Sequence, residues 1–189
     1  MNICITGANG KLGSSLVDIC NANDWNVLPH NGRQIGDLSN EEHVVEFAAS
    51  LPELDSLICC AGGKELDGDF SSFQKMMNDN LFVTYLCCKH LAPKLRKLST
   101  ILTIGSVDGC FGQAEGSFYA SAKAALHIYS RCLAKQLMLN EITVNCLALG
   151  TLTSVNIDKI SQSIVGFCKH SAINGQVIRI DQSHHTFPC

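Results

Sequence analysis

The run Thr6-Gly7-Ala8-Asn9-Gly10-Lys11-Leu12-Gly13 constrains this chain more than any other segment. An apolar stretch, Asn2–Thr6, precedes it, and Leu12, Leu16 and Ile19 follow at helical spacing. A strand must therefore turn sharply into a helix. Gly7 can take the positive φ of a tight turn, Gly10 leaves the backbone open to approach, and Gly13 lets the helix lie close to the sheet. The start of such a helix presents free N–H groups and a positive dipole end, which suits a phosphate.

Beyond this turn, short apolar strands alternate with helical segments. The pattern predicts strands at 25–29, 57–60, 100–104, 142–147 and 176–180. Helices are expected over 39–50, 70–98, 118–140 and 158–169. Ser39 is the expected cap of the first of these, with Glu42 completing a capping box, and Pro93 should kink or shorten the second. Alternation of this kind implies an α/β fold: a doubly wound parallel sheet of about six to seven strands in a three-layer αβα sandwich. One domain spanning residues 1–189 is expected. The stretch between Pro29 and Asp37 is too short for a crossover helix, so any strand between Gln34 and Leu38 must be short.

Apolar residues make up 46% of the chain and charged ones only 16%, as a sheet buried on both faces requires. The net charge of −3, without a Lys/Arg block, recommends neither nucleic acid nor an anionic membrane as partner. No signal peptide or membrane span is expected, and a cytoplasmic protein is. Eleven cysteines invite a disulfide or zinc reading. Their spacing contains no C-x-x-C, and Cys59-Cys60 and Cys87-Cys88 are adjacent pairs, so reduced thiols acting as small hydrophobes are expected. His184-His185 reads as a solvated pair on a polar tail, and no metal is expected.

A dinucleotide fold often ends its second strand in an acid that holds the ribose hydroxyls. Here the segment reads Leu28-Pro29-His30-Asn31-Gly32-Arg33. The missing carboxylate and the nearby Arg33, with Lys11 in the turn, favour a 2′-phosphate: NADP(H), with NAD(H) as the alternative.

Tyr119 and Lys123 stand four residues apart near the start of a helix, and so on one face of it. A nearby ammonium favours the phenolate and lowers the phenol's pKa, fitting Tyr119 to act as acid toward a carbonyl or base toward an alcohol. Ser106 lies just past a strand end, where open α/β sheets bind ligands.

Together these residues resemble the short-chain dehydrogenase/reductase family almost from end to end. The resemblance implies a Rossmann-type fold and a catalytic set of Ser106, Tyr119, Lys123 and Asn80, the last supporting a proton-relay water. Asp37-Leu38 resembles the pair that contacts adenine. Cys60-Ala61-Gly62 resembles the family's Asn-Ala-Gly, with Cys for Asn. Val144-Asn145 followed by Leu149-Gly150 resembles the segment flanking the nicotinamide, with Leu149 for proline. Asn174-Gly175-Gln176-Val177 resembles the motif opening the last strand. Cofactor contacts are thereby implied at Gly7, Asn9, Gly10, Lys11, Leu12 and Gly13 of the turn, and at Arg33, Asp37 and Leu38. They are implied also at Cys60, Ala61, Gly62, Asn80, Ile104, Tyr119, Lys123, Leu149, Gly150 and Leu152.

The chain departs from the family after Gly150, where only about six residues precede the next helix, too few for a substrate lid. The site should then be open, or closed by another subunit, around a small or carrier-tethered carbonyl or alcohol. The competing reading is a protein that binds NADP(H) without turnover. A sugar-nucleotide epimerase is disfavoured, since no residues are left for a substrate domain. Phe82, Val83, Leu86 and Cys87 on one helix, and Leu126, Ile128, Tyr129 and Leu133 on another, predict a homodimer or homotetramer.

Overall fold

A computed structural model describes residues 1–30, 36–153, 156–169 and 172–181. Its six strands are β1 (Asn2–Thr6), β2 (Asn26–Pro29), β3 (Leu54–Cys59), β4 (Leu95–Ser106), β5 (Thr143–Leu149) and β6 (Val177–Ile180). They form one sheet in the order β2-β1-β3-β4-β5-β6. Every pairing is parallel. The helices are α1 (Lys11–Ala22), α2 (Glu41–Ser50), α3 (Phe70–Met77), α4 (Val83–Leu91), α5 (Asp108–Phe111), α6 (Ser117–Gln136) and α7 (Ile157–Lys169).

The sheet separates two apolar clusters, as the three-layer reading requires. Leu12, Leu16, Ile160 and Ile164 of α1 and α7 pack against Ile3, Ile5, Leu102 and Leu147. On the other face, Val44, Phe47, Cys87, Leu91 and Leu133 of α2, α4 and α6 pack against Cys4, Leu57, Ile101 and Val144. Seven of the ten described cysteines are buried and pack as core hydrophobes, while Cys110 and Cys132 are exposed. The ten described ones are free thiols, and Cys59 and Cys88 face each other across 3.9 Å. Burial pushes the Cys60 thiol up to about 12, so it packs as a neutral group.

Three expectations are corrected. Ser39 does not cap α2: the helix begins one residue later, at Glu41, and Ser39 lies in the turn before it, its N–H bound to the Asp37 carboxylate at 2.9 Å. Asn40 takes the cap instead, its Oδ1 accepting from Glu42 N at 2.9 Å. The helix expected over 70–98 ends much earlier. It passes through a π-turn at Asn78–Phe82, and Pro93 then opens a short 3₁₀ turn, Ala92–Lys94. The residues after Pro93 join β4, held by Arg96, which binds Glu53 and Asp55 at 3.1 and 3.0 Å. The third correction concerns the edge of the sheet. Residues 36–40 form no strand, β2 is the outermost described strand, and the predicted segment at 34–35 lies outside the described residues.

Candidate active site

From β1 the chain moves one way to β2 and later returns to place β3 on the other side. The reversal leaves a crevice above the ends of β1 and β3, where open α/β sheets hold ligands. The glycine turn forms one wall. Gly7 has φ +68°, and a Cβ there would meet Ala61 N at 2.6 Å. Gly13 has no such φ, but its Cβ would overlap the Gly7 carbonyl oxygen and reach Ala8 Cα at 2.8 Å. These two glycines are demanded by the chain's own packing. Gly10 is different: its φ is −74° and its Cβ would meet only the Gly7 carbonyl oxygen, at 3.4 Å. No side chain caps the α1 N-terminus that it opens. Thr6 ties this wall to the next, accepting from Cys60 N and Ala61 N at 3.2 and 3.4 Å.

Two cavities lie along the crevice. The smaller, about 380 Å³, is lined by Gly7, Asn9, Gly10, Asp37, Leu38, Ala61 and Gly62, together with His30 and Asp79. The larger, about 770 Å³, is lined by Ile104, Ser106, Tyr119, Leu149, Gly150 and Leu152. Lys64, Asp108 and Gln113 stand at its edge. Most sequence-predicted positions thus gather on the two cavities.

Others are placed differently. Lys11 faces a separate groove between α1 and α7, beside Asp18 and Asp158. The Leu12 side chain is core, and Gly13 lies beneath the turn, so neither lines a cavity. Cys60 packs against the core and meets the turn through its backbone. Asn80 and Lys123 lie buried just behind the cavity walls. Arg33, His184 and His185 lie outside the described residues.

The catalytic-type residues converge from three elements. Ser106 ends β4; its Oγ accepts from Asp108 N at 3.2 Å, and its hydroxyl is hydrogen-bonded to the Tyr119 side chain. Tyr119 sits in the first turn of α6. That helix begins at Gly116, a residue with φ +116° and no side-chain cap of its own. Asp67 supplies the cap from the loop after β3, accepting from Ser117 N at 2.7 Å and Phe118 N at 3.0 Å. The Lys123 ammonium lies 5.5 Å from the Tyr119 ring centre and donates to the Ile104 carbonyl at 2.8 Å. Asn80 rides on the π-turn, a geometry frequent at functional sites. Its Nδ2 donates to the Gly63 and Met76 carbonyls at 2.8 and 3.1 Å, while its buried Oδ1 has no hydrogen-bond partner. That oxygen faces Gly62, as does the Lys123 ammonium.

The electrostatics correct one expectation. Burial lowers Lys123 to about 8. Tyr119 is raised above the ordinary phenol value, first by burial; the opposed Ser106 hydroxyl lowers it, and the Asp108 charge raises it again. In the chain by itself, desolvation outweighs the pull that Lys123 was expected to exert. Sequence reasoning also missed Lys64, Asp108 and Asp67. The first two stand just beyond Gly62 and Ser106, each in a segment leaving a strand at the crevice edge, which was the available signal.

Comparison with known proteins settles the family. The family model described as short chain dehydrogenase matches residues 34–164. The chain belongs to the short-chain dehydrogenase family. It is 35% identical over 133 residues to the rhamnolipids biosynthesis 3-oxoacyl-[acyl-carrier-protein] reductase of Pseudomonas aeruginosa, covering 62% of this chain and 52% of that protein. It is 27% identical over 145 residues to a 2-dehydro-3-deoxy-L-rhamnonate dehydrogenase (NAD(+)) from a Sphingomonas species, covering 73% and 58%. The matched part of this short-chain dehydrogenase therefore spans little more than half the length of either relative. Its fold superposes on BdcA, solved in complex with NADPH, with a TM-score of 0.85 and 18% identity over 99% of this chain and 98% of that one. Among the described residues, no helix is long and apolar enough to cross a membrane.

Proposed function

We propose that this short-chain dehydrogenase is an NADP(H)-dependent oxidoreductase, with NAD(H) as the alternative cofactor. It interconverts a carbonyl and a secondary alcohol on a small or carrier-tethered substrate. One observation carries the reading: Ser106 and Tyr119 share a cavity at the end of a glycine-walled crevice, with a buried ammonium behind the phenol.

The crevice fits a dinucleotide. Gly10 lacks a side chain where the protein's own packing does not require it, beside an uncapped helix N-terminus. Asp37 and Leu38 border the smaller cavity as an adenosine site would need. The end of β2 carries His30 and no acid, which favours a 2′-phosphate, and the superposable BdcA binds NADPH. The bound nucleotide would supply or take the hydride.

The chain's own residues handle the proton and the oxygen. Tyr119 gives the proton to a carbonyl oxygen or takes it from an alcohol. Ser106, hydrogen-bonded to Tyr119 in the chain alone, turns its hydroxyl proton to the same oxygen when substrate is bound. Lys123 orients the nicotinamide ribose and, with Asn80, connects the phenol to solvent. Six residues separate Gly150 from Ile157, too few for a substrate lid, which fits a substrate held on a carrier; the name of the Pseudomonas relative, a 3-oxoacyl-[acyl-carrier-protein] reductase, points the same way. A cytoplasmic protein fits the free thiols.

The test is purified protein with NADPH and a 3-oxoacyl thioester, followed by dihydronicotinamide absorbance. The wild type should turn over. Tyr119→Phe should lose at least about 100-fold in rate while keeping its dinucleotide affinity. Equal rates would overturn the assignment of Tyr119, and failure to bind either nucleotide would overturn the whole reading. The rival reading, binding without turnover, is favoured only by the short segment after Gly150. It predicts tight NADPH binding and no rate in either protein.

A further inference from the structure

Tyr119 is flanked by two ammoniums. Lys123 approaches from its own helix, buried and bound to the Ile104 carbonyl. Lys64 approaches from the loop after β3, its Nζ 5.1 Å from the centre of the same ring. Lys64 also reaches across the edge of the larger cavity, bonding Asp108 at 2.9 Å and Gln113 at 2.6 Å. Among the described residues, the Asp108 carboxylate raises the phenol's pKa and so works against its ionisation. No family motif and no role assigned above accounts for Lys64. Its ammonium stands where it neutralises that carboxylate.

We infer that Lys64, paired with Asp108 across the mouth of the larger cavity, sets the acidity of the Tyr119 hydroxyl and so positions the pH range over which it transfers protons. The physical basis is the sign of the charges near one phenol. Asp108 alone would hold the proton on Tyr119, Lys64 alone would help to release it, and the pair leaves the field near balance. The described groups facing the phenol are Lys64 from the loop after β3, Asp108 and Ser106 from the end of β4 and α5, and Lys123 from α6. Lys123 sits deep behind the ring and is drawn down to about 8, so it loses its charge in mildly alkaline solution. Lys64 stands at the cavity edge with its side chain 44% exposed, paired with Asp108 at 2.9 Å and 5.1 Å from the centre of the Tyr119 ring. Lys64 is thus a positioning residue acting through field rather than through contact with the reacting atoms.

The inference rests on the proposed role of Tyr119, but its test does not need turnover. The protein is made with carbon-13 at the tyrosine ring carbon bearing the hydroxyl, and titrated by NMR. The chain has three tyrosines, and Tyr119→Phe assigns the signal. Lys64→Met should raise the Tyr119 midpoint by about 0.5–1 pH unit, and Asp108→Asn should lower it by a similar amount. The double variant should return close to the wild type, and Lys64→Arg should match the wild type throughout. A purely structural strap predicts something else: both single variants would move the midpoint the same way, or not at all. Either of those results overturns the inference. If the protein turns over a carbonyl substrate, the alkaline limb of kcat/KM should shift with the NMR midpoint in each variant. Opposite NMR shifts without any turnover would uphold the electrostatic pairing and refute the proposed function.

Discussion

Lys123 shows what a buried ammonium costs a fold. The residue is 5% exposed, and its ammonium donates to the Ile104 carbonyl. Burial lowers its pKa from 10.5 to about 8. Below pH 8 the folded chain therefore carries a desolvated charge, worth about 3 kcal/mol against folding. Between pH 8 and 10.5 the folded lysine is neutral while the unfolded one still holds its proton. The unfolded state then binds more protons, so this contribution to stability improves as pH rises through that window. Lys123→Met removes the charge but leaves the Ile104 carbonyl without its donor, so a net gain of about 0–2 kcal/mol is expected at pH 7. Thermal unfolding should show a higher Tm for the variant at pH 7 and a shrinking advantage by pH 10, with turnover lost throughout. A variant equally destabilised at both values would refute this account. Spacing made the Tyr119–Lys123 pair legible in the sequence. The direction of the field did not follow from spacing, because burial and the Asp108 charge come from elements distant in the chain.

At the scale of elements, the glycine turn divides into residues that serve the fold and one, Gly10, that we propose serves a ligand. Gly13→Ala would drive a methyl into the Gly7 carbonyl and the Ala8 backbone, with no flexible side chain to yield. Gly10→Ala would meet only ordinary contact, at a φ any residue adopts. Gly13→Ala is therefore expected to lower stability by a few kcal/mol, in the range of core overpacking. Gly10→Ala should leave Tm within a few degrees of wild type but weaken NADPH binding at least about tenfold. Calorimetric unfolding and a dinucleotide titration on both variants decide the matter, and equal losses of binding at equal stability would refute the division. This turn was fully readable, since its glycines are local signals. The run from Phe70 to Leu98 was not. Its apolar residues keep a helical period through the π-turn, and only tertiary pairing, Arg96 with Glu53 and Asp55, draws the residues after Pro93 into β4. The Asp67 cap was equally hidden, because it lies 50 residues before the helix it closes.

At the scale of the whole molecule, alternation of strands and helices was enough to give the doubly wound sheet, because parallel neighbours need crossovers of fixed hand. Which helix faces are covered was only half readable. Val83, Cys87, Leu126 and Leu133 are buried by the chain's own domain, so their apolar character is already explained. Phe82 of the π-turn, Tyr85 of α4 and Ile128 of α6 remain 49%, 40% and 57% exposed. Tyr85 meets Tyr129 edge to face at 6.1 Å, linking the two helices into one apolar surface. We propose that a second copy covers this surface in a homodimer or homotetramer. Its centre should then be the least tolerant of charge. Ile128→Glu places a carboxylate on an exposed helix position, so the fold should survive, with Tm nearly unchanged for the isolated chain. Burying that carboxylate against another copy would leave it without a partner, and self-association should weaken at least about tenfold. Sedimentation velocity across a concentration series reads the change. A wild-type chain that stays monomeric throughout removes the proposed assembly, and an Ile128→Glu chain that associates as tightly as wild type moves the interface to another face.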